Sequence, residues 1–163
     1  MTFTVHLCNP QPVLSQGLKS VLEGTDEFQL TSSSASLEQA SCELERAATD
    51  IVLVDRCFGM HSLLGWINQT AERHPRARVI LWAADITDVE CFRALQGGAR
   101  GIVKKTASLD ALLHCLRTVA GGGIWTEDVY LKGDSPLDKP RTRPLTQREQ
   151  QVAGLVSKGM KNR

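Results

Sequence analysis

No segment of this 163-residue chain holds the roughly 20 consecutive apolar residues that a bilayer-spanning helix requires. Its first residues also lack the basic-then-apolar pattern of a secretion signal. The cysteines Cys8, Cys42, Cys57, Cys91 and Cys115 form an odd, scattered set without a Cys-x-x-Cys pair. That argues against a disulfide framework and a zinc site, and fits a reducing, cytoplasmic setting with no membrane partner. There is no Gly-x-Gly-x-x-Gly run and no P-loop, and Gly121–Gly123 reads as a helix stop rather than a phosphate cradle. Trp66, Trp82 and Trp125 are too dispersed to make a stacking platform for single-stranded nucleic acid. His6, His61, His74 and His114 show no metal-ligand spacing and read as core or surface packing.

What is present suits one well-cored domain with a small appendage. The charge is unevenly spread. Residues 1–135 carry 12 Lys/Arg against 16 Asp/Glu, whereas residues 136–163 carry 7 against 2. A mildly acidic body with a basic tail points nucleic acid, if any, at the tail; a solvated basic linker is the plain alternative.

The organising stretch is Ile51-Val52-Leu53-Val54-Asp55. Four branched apolar residues without polar alternation suit a strand buried on both faces of a parallel sheet. Open α/β sheets place ligands beyond the carboxyl ends of such strands, so Asp55 falls at the rim of a crevice. The plain alternative is a carboxylate that only caps a strand end. Further strands are expected at Phe3–Leu7, Phe28–Thr31 (then a Ser-rich turn), Val79–Trp82 and Gly101–Val103. Helical spacing links Leu14, Leu18, Val21 and Leu22 after Pro12, and Leu37, Ala40, Leu44 and Ala47 after an N-capping Ser36. It recurs in Leu63, Leu64, Ile67 and Ala71, in Val89, Phe92 and Leu95, and in Leu109, Leu112, Leu113, Leu116 and Val119. Strand and helix thus alternate five times. The expected fold is α/β, a flavodoxin-like (βα)5 unit with a doubly wound parallel sheet.

Beyond residue 123 the composition shifts, with Pro136, Pro140 and Pro144 set among charges as a semi-extended linker. Thr146 and Glu149 then form a capping box ahead of Val152, Leu155 and Val156. A single amphipathic helix with nothing of its own to pack against is marginal, so the expectation is a piece of a longer protein.

In this order and spacing, several motifs resemble response regulators of the NarL/FixJ branch: a receiver domain, a linker and a LuxR-type helix-turn-helix domain. They are the turn Cys8-Asn9-Pro10-Gln11-Pro12 with Gly17-Leu18, Asp50–Asp55, Arg93–Gly101, Lys105-Thr106-Ala107-Ser108 and Leu145–Glu149 followed by Gly159 and Asn162. The implied domains are a receiver at 1–123, a linker at 124–144 and the first part of an all-α helix-turn-helix domain at 145–163. In that family the aspartate matching Asp55 accepts a phosphoryl group from a histidine kinase, with magnesium held by two adjacent acids after the first strand, the aspartate itself and a backbone carbonyl two residues on. A hydroxyl ending the fourth strand and a lysine ending the fifth hold the phosphoryl oxygens, and an aromatic residue in the fifth strand serves as a switch.

Here Asp55 matches the phosphoacceptor, Lys105 the lysine and the carbonyl of Cys57 the backbone ligand. The acidic pair falls on Asn9 and Pro10, the hydroxyl on Ala83 and the switch aromatic on Ile102. One anionic side chain makes a weak magnesium site, and each lost charge-assisted contact to a phosphoryl group removes about 1.5–3 kcal/mol. The resemblance therefore implies an atypical, non-enzymatic receiver without cofactor or metal, in which Asp55 and Lys105 pair and control comes from dimerisation or another bound partner or ligand. The alternative is an ordinary phosphorelay receiver, with magnesium on Asp55 and the Cys57 carbonyl and a histidine kinase as donor. A third reading, a flavodoxin-like enzyme or redox protein, rests on Cys57 alone. A homodimer is the implied assembly. The longer parent is expected to bind DNA, while this segment contributes only weak phosphate contacts from Lys139, Arg141, Arg143, Arg148, Lys158, Lys161 and Arg163.

Overall fold

A computed structural model describes residues 1–127. The readings for most of the linker and for the helix opening at Thr146 lie outside the described residues. Within them the chain runs β1 (Phe3–Cys8), α1 (Pro12–Glu23), β2 (Phe28–Ser34), α2 (Leu37–Arg46), β3 (Ile51–Asp55) and a 3-10 turn (Arg56–Phe58). It continues through α3 (Met60–Arg73), β4 (Arg78–Ala83), α4 (Asp88–Gln96), β5 (Gly101–Lys104), α5 (Leu109–Ala120) and β6 (Trp125–Thr126). The strands pair in parallel in the order β2-β1-β3-β4-β5-β6. This is the flavodoxin-like α/β arrangement expected from the alternation of elements. The order reverses at β1 and β3, whose carboxyl ends carry Asn9 and Asp55.

The sheet is central because its middle strands have no polar face. Every residue of Ile51–Asp55 is buried, which only a sheet covered by helices on both sides can supply. On one side α1 and α5 cover Val5, Leu7, Leu53, Ile80 and Val103 with Leu18, Leu22, Leu116 and Val119. Each such side chain contributes about 1.5–3 kcal/mol through burial. At Gly101 a Cβ would lie 3.0 Å from Ile80, 3.1 Å from Cys115 and 3.2 Å from Val119, so α5 settles onto β5 because that residue has no side chain.

Three expectations are corrected. The Ser-rich segment after Thr31 is strand, not turn: β2 runs on to Ser34. Its register with β1 slips between Val5 and His6, and the hydroxyls of Ser32 and Ser34 lie 2.6 Å and 2.9 Å from the ring nitrogens of fully buried His6. A hydrogen-bonded side-chain ladder thus overrides the turn preference of serine. In α4 the buried residues are Cys91 and Ala94, while Val89 and Phe92 face outward. Finally, the sheet does not stop before the expected linker. Trp125 and Thr126 pair with Gly101 and Ile102 as a sixth strand, because Gly122, at φ +90°, turns the chain back after α5.

Candidate functional site

The site grows from the carboxyl ends of β1, β3 and β5. The buried strand Ile51–Val54 delivers Asp55 to the sheet edge with its carboxylate almost wholly out of solvent, at 1% exposure. A carboxylate there needs partners for its oxygens. Oδ1 accepts the backbone N–H of Cys57 at 2.8 Å, which shapes the following 3-10 turn. Oδ2 meets the ammonium of Lys105 at 2.6 Å and also accepts the side-chain amide N–H of Asn9.

Asn9 has no freedom to turn its oxygen toward Asp55. Its Oδ1 accepts the backbone N–H of Gln11 at 2.7 Å, closing an Asx turn before α1. Nδ2 must therefore face the carboxylate. Lys105 is placed by backbone geometry, its N–H bonding the carbonyl of Ala83 at 2.8 Å. Its ammonium also stands 5.8 Å from the centre of the Trp82 ring, within cation–π range.

The structure thus brings together Asn9, Asp55 and Lys105. It places Pro10 on the surface, Ala83 and Ile102 in the buried interior, and Cys57 in the exposed turn. The Cys57 thiol is pushed above its ordinary value, first by burial and then by the Asp55 charge. A thiol so disposed makes a poor nucleophile, and the redox reading of Cys57 loses its footing.

A hard dication asks for several oxygen donors in a near-octahedral shell. Side chains at the crevice offer one carboxylate, and two N–H donors already occupy its Oδ2. No group of three or more His, Cys, Asp or Glu among the described residues is arranged to hold a metal. These residues do not fit a magnesium ion.

Sequence reasoning missed two contributors. Trp82 reads as core packing from composition, but its register opposite Asp55 sets the ring beside the lysine. Arg56 reads as a loop residue, yet its guanidinium lies 2.7 Å from Glu90 and 3.7 Å from Asp85.

The chain is 29% identical over 161 residues to the transcriptional regulatory protein MctR of Rhizobium johnstonii, covering 98% of this chain and 75% of that protein. It is 24% identical over 165 residues to the response regulator protein VraR of Staphylococcus aureus, covering 99% and 79%. A response regulator from Thermotoga maritima superposes with a TM-score of 0.67 at 25% identity, over 74% of this chain and 99% of that one. The chain is similar to response regulators. No protein-family model matches it. The described residues have the α/β fold of receiver domains, in line with the motifs that resemble the NarL/FixJ branch. Among the described residues no helix is long and apolar enough to cross a membrane.

Proposed function

We propose that this receiver is the regulatory domain of a cytoplasmic, DNA-binding transcription factor with a LuxR-type helix-turn-helix domain. Its control comes from dimerisation or from a bound partner or ligand, not from magnesium-dependent phosphorylation of Asp55. One observation carries this reading: the buried Asp55 carboxylate already holds its counter-charge in Lys105 and a donated amide hydrogen from Asn9. A phosphoryl group arriving there would have to displace both, without a second acid to recruit a cation and with a methyl, Ala83, where a hydroxyl would receive it.

The chain is accordingly a regulator and not an enzyme. It acts as a homodimer, and the longer parent binds DNA. The name of MctR as a transcriptional regulatory protein supports this assignment. The second reading, a phosphorelay receiver served by a histidine kinase, draws on the position of Asp55 at the strand-order reversal beside a lysine. Incubating the protein and its Asp55→Asn variant with a small-molecule phosphoryl donor and magnesium, then weighing both intact, separates the two. No stoichiometric adduct is expected on either. A magnesium-dependent adduct confined to the protein with Asp55 would overturn the proposal in favour of the second reading.

A further inference from the structure

Asp55 does more than hold Lys105 and Asn9. Through Oδ1 it fixes the N–H of Cys57, and so sets the 3-10 turn that begins with Arg56. The Arg56 side chain leaves this turn for the β4–α4 connection, where Nη2 meets Glu90 Oε1 at 2.7 Å and Nη1 lies 3.7 Å from Asp85. Asp85 is 92% exposed and its contribution is screened; Glu90, at 23%, is the partner that matters.

Glu90 has a second task. Its Oε2 accepts the backbone N–H of Thr87 at 2.9 Å and the Thr87 hydroxyl at 3.1 Å. The Thr87 hydroxyl in turn accepts the N–H of Glu90 at 3.2 Å. This reciprocal capping box starts α4. One carboxylate therefore joins the first turn of α4, through one oxygen, to the residue after Asp55, through the other. Among the described residues, the side-chain hydrogen bonds and ion pairs between the Asp55 turn and the β4–α4 connection all run through Arg56. Ala83 and Ile102 have neither hydroxyl nor aromatic ring to offer a parallel route.

We infer that Arg56 is the positioning residue through which the state of Asp55 reaches helix α4: the contacts of Asp55 set the 3-10 turn, the turn sets the guanidinium, and Glu90 passes the result to the helix N-terminus. This deepens the proposed function and rests on it, since it gives a receiver without the phosphoryl route a way to convert events in its crevice into a change at α4. Loosening the grip of Lys105 on Asp55 shifts the turn, weakens the Arg56–Glu90 bond and frays the end of α4 that carries the exposed Val89 and Phe92.

The test is amide hydrogen exchange of residues 85–96 in the whole chain, in metal-free buffer, on four proteins: the parent, Asp55→Asn, Glu90→Gln and the double variant. Glutamine keeps a capping box possible while removing the charge that holds Arg56. Asp55→Asn is expected to speed exchange in α4 by about fivefold or more in the parent background, the range of ordinary inter-site coupling. In the Glu90→Gln background it is expected to change exchange by less than about twofold. Lys105→Met, a second way to release Asp55, is expected to show the same dependence on Glu90. Equal responses in both backgrounds, or no response of α4 to either Asp55→Asn or Lys105→Met, would overturn the inference. A phosphoryl adduct on Asp55 would instead strike at the proposed function alone, because the exchange experiment contains neither donor nor metal.

Discussion

Replacing Asn9 by Asp restores one acid of the implied pair and shows what the amide does now. The new side chain can still accept the Gln11 N–H with one oxygen, so the Asx turn survives. Its other oxygen then lies where Nδ2 donates to Asp55 Oδ2. A hydrogen bond to a charged acceptor, worth about 1.5–3 kcal/mol, is lost. Two carboxylates about 4 Å apart repel by about 4 kcal/mol at an effective dielectric of about 20, an upper bound that Lys105 and proton uptake reduce. A net loss of about 2–4 kcal/mol follows, which lowers Tm by about 10 °C in a domain of this size. Thermal unfolding followed by circular dichroism measures it directly. Magnesium should restore part of the loss in Asn9→Asp, by about 2.7 kcal/mol at one hundred times its Kd, and leave the parent protein unmoved. A variant as stable as the parent without metal would refute the reasoning, as would a parent whose Tm rises with magnesium as steeply.

Three further outcomes follow from the same contacts. Lys105→Met strands a carboxylate of 1% exposure without its counter-charge and should cost about 3–5 kcal/mol in urea unfolding; adding Asp55→Asn to that variant should recover most of the loss, and strictly additive effects would contradict the pairing. Burial holds the His6 ring below its ordinary value of 6.5 despite the opposing pull of Glu43, so the unfolded chain takes up a proton first as pH falls. The stability held by neutral His6 is thus full above pH 6.5 and declines below it toward the lowered folded value; His6→Gln should flatten that decline in a series of urea midpoints. Gly98→Ala forces a side chain into φ +114° and a Cβ within 2.6 Å of the Ala71 Cβ; a loss of about 2 kcal/mol or more is expected, and a neutral result in the same unfolding assay would contradict it.

Much of the fold is written in single-residue patterns. The unbroken apolar run Ile51–Val54 suits an interior strand, which it forms, and Ser36 marks a helix start that its hydroxyl does cap; the equivalent cap by Ser108 was not read from the sequence. The errors arise where a residue answers to a distant partner. Ser32 and Ser34 look like turn residues until His6, on another strand, supplies their hydrogen bonds. Val89 and Phe92 look like a core stripe, but Cys91 and Ala94 are the residues of α4 that are buried. At the site, the pairing of Asp55 with Lys105 was implied by the resemblance of their motifs to receiver domains. The inward-donating amide of Asn9 was not, because it depends on the Gln11 N–H taking the other end of the same group. Nor could the spacing of Arg56 and Glu90, 34 residues apart, reveal their bond.

The Asp55 carboxylate has its charge met from within the protein, by Lys105 and Asn9. Calorimetric titration of magnesium into the unmodified chain and into Asp55→Asn, at neutral pH, tests this directly. No saturable heat is expected in either protein through the millimolar range. A sub-millimolar site present in the unmodified chain and lost in Asp55→Asn would contradict it.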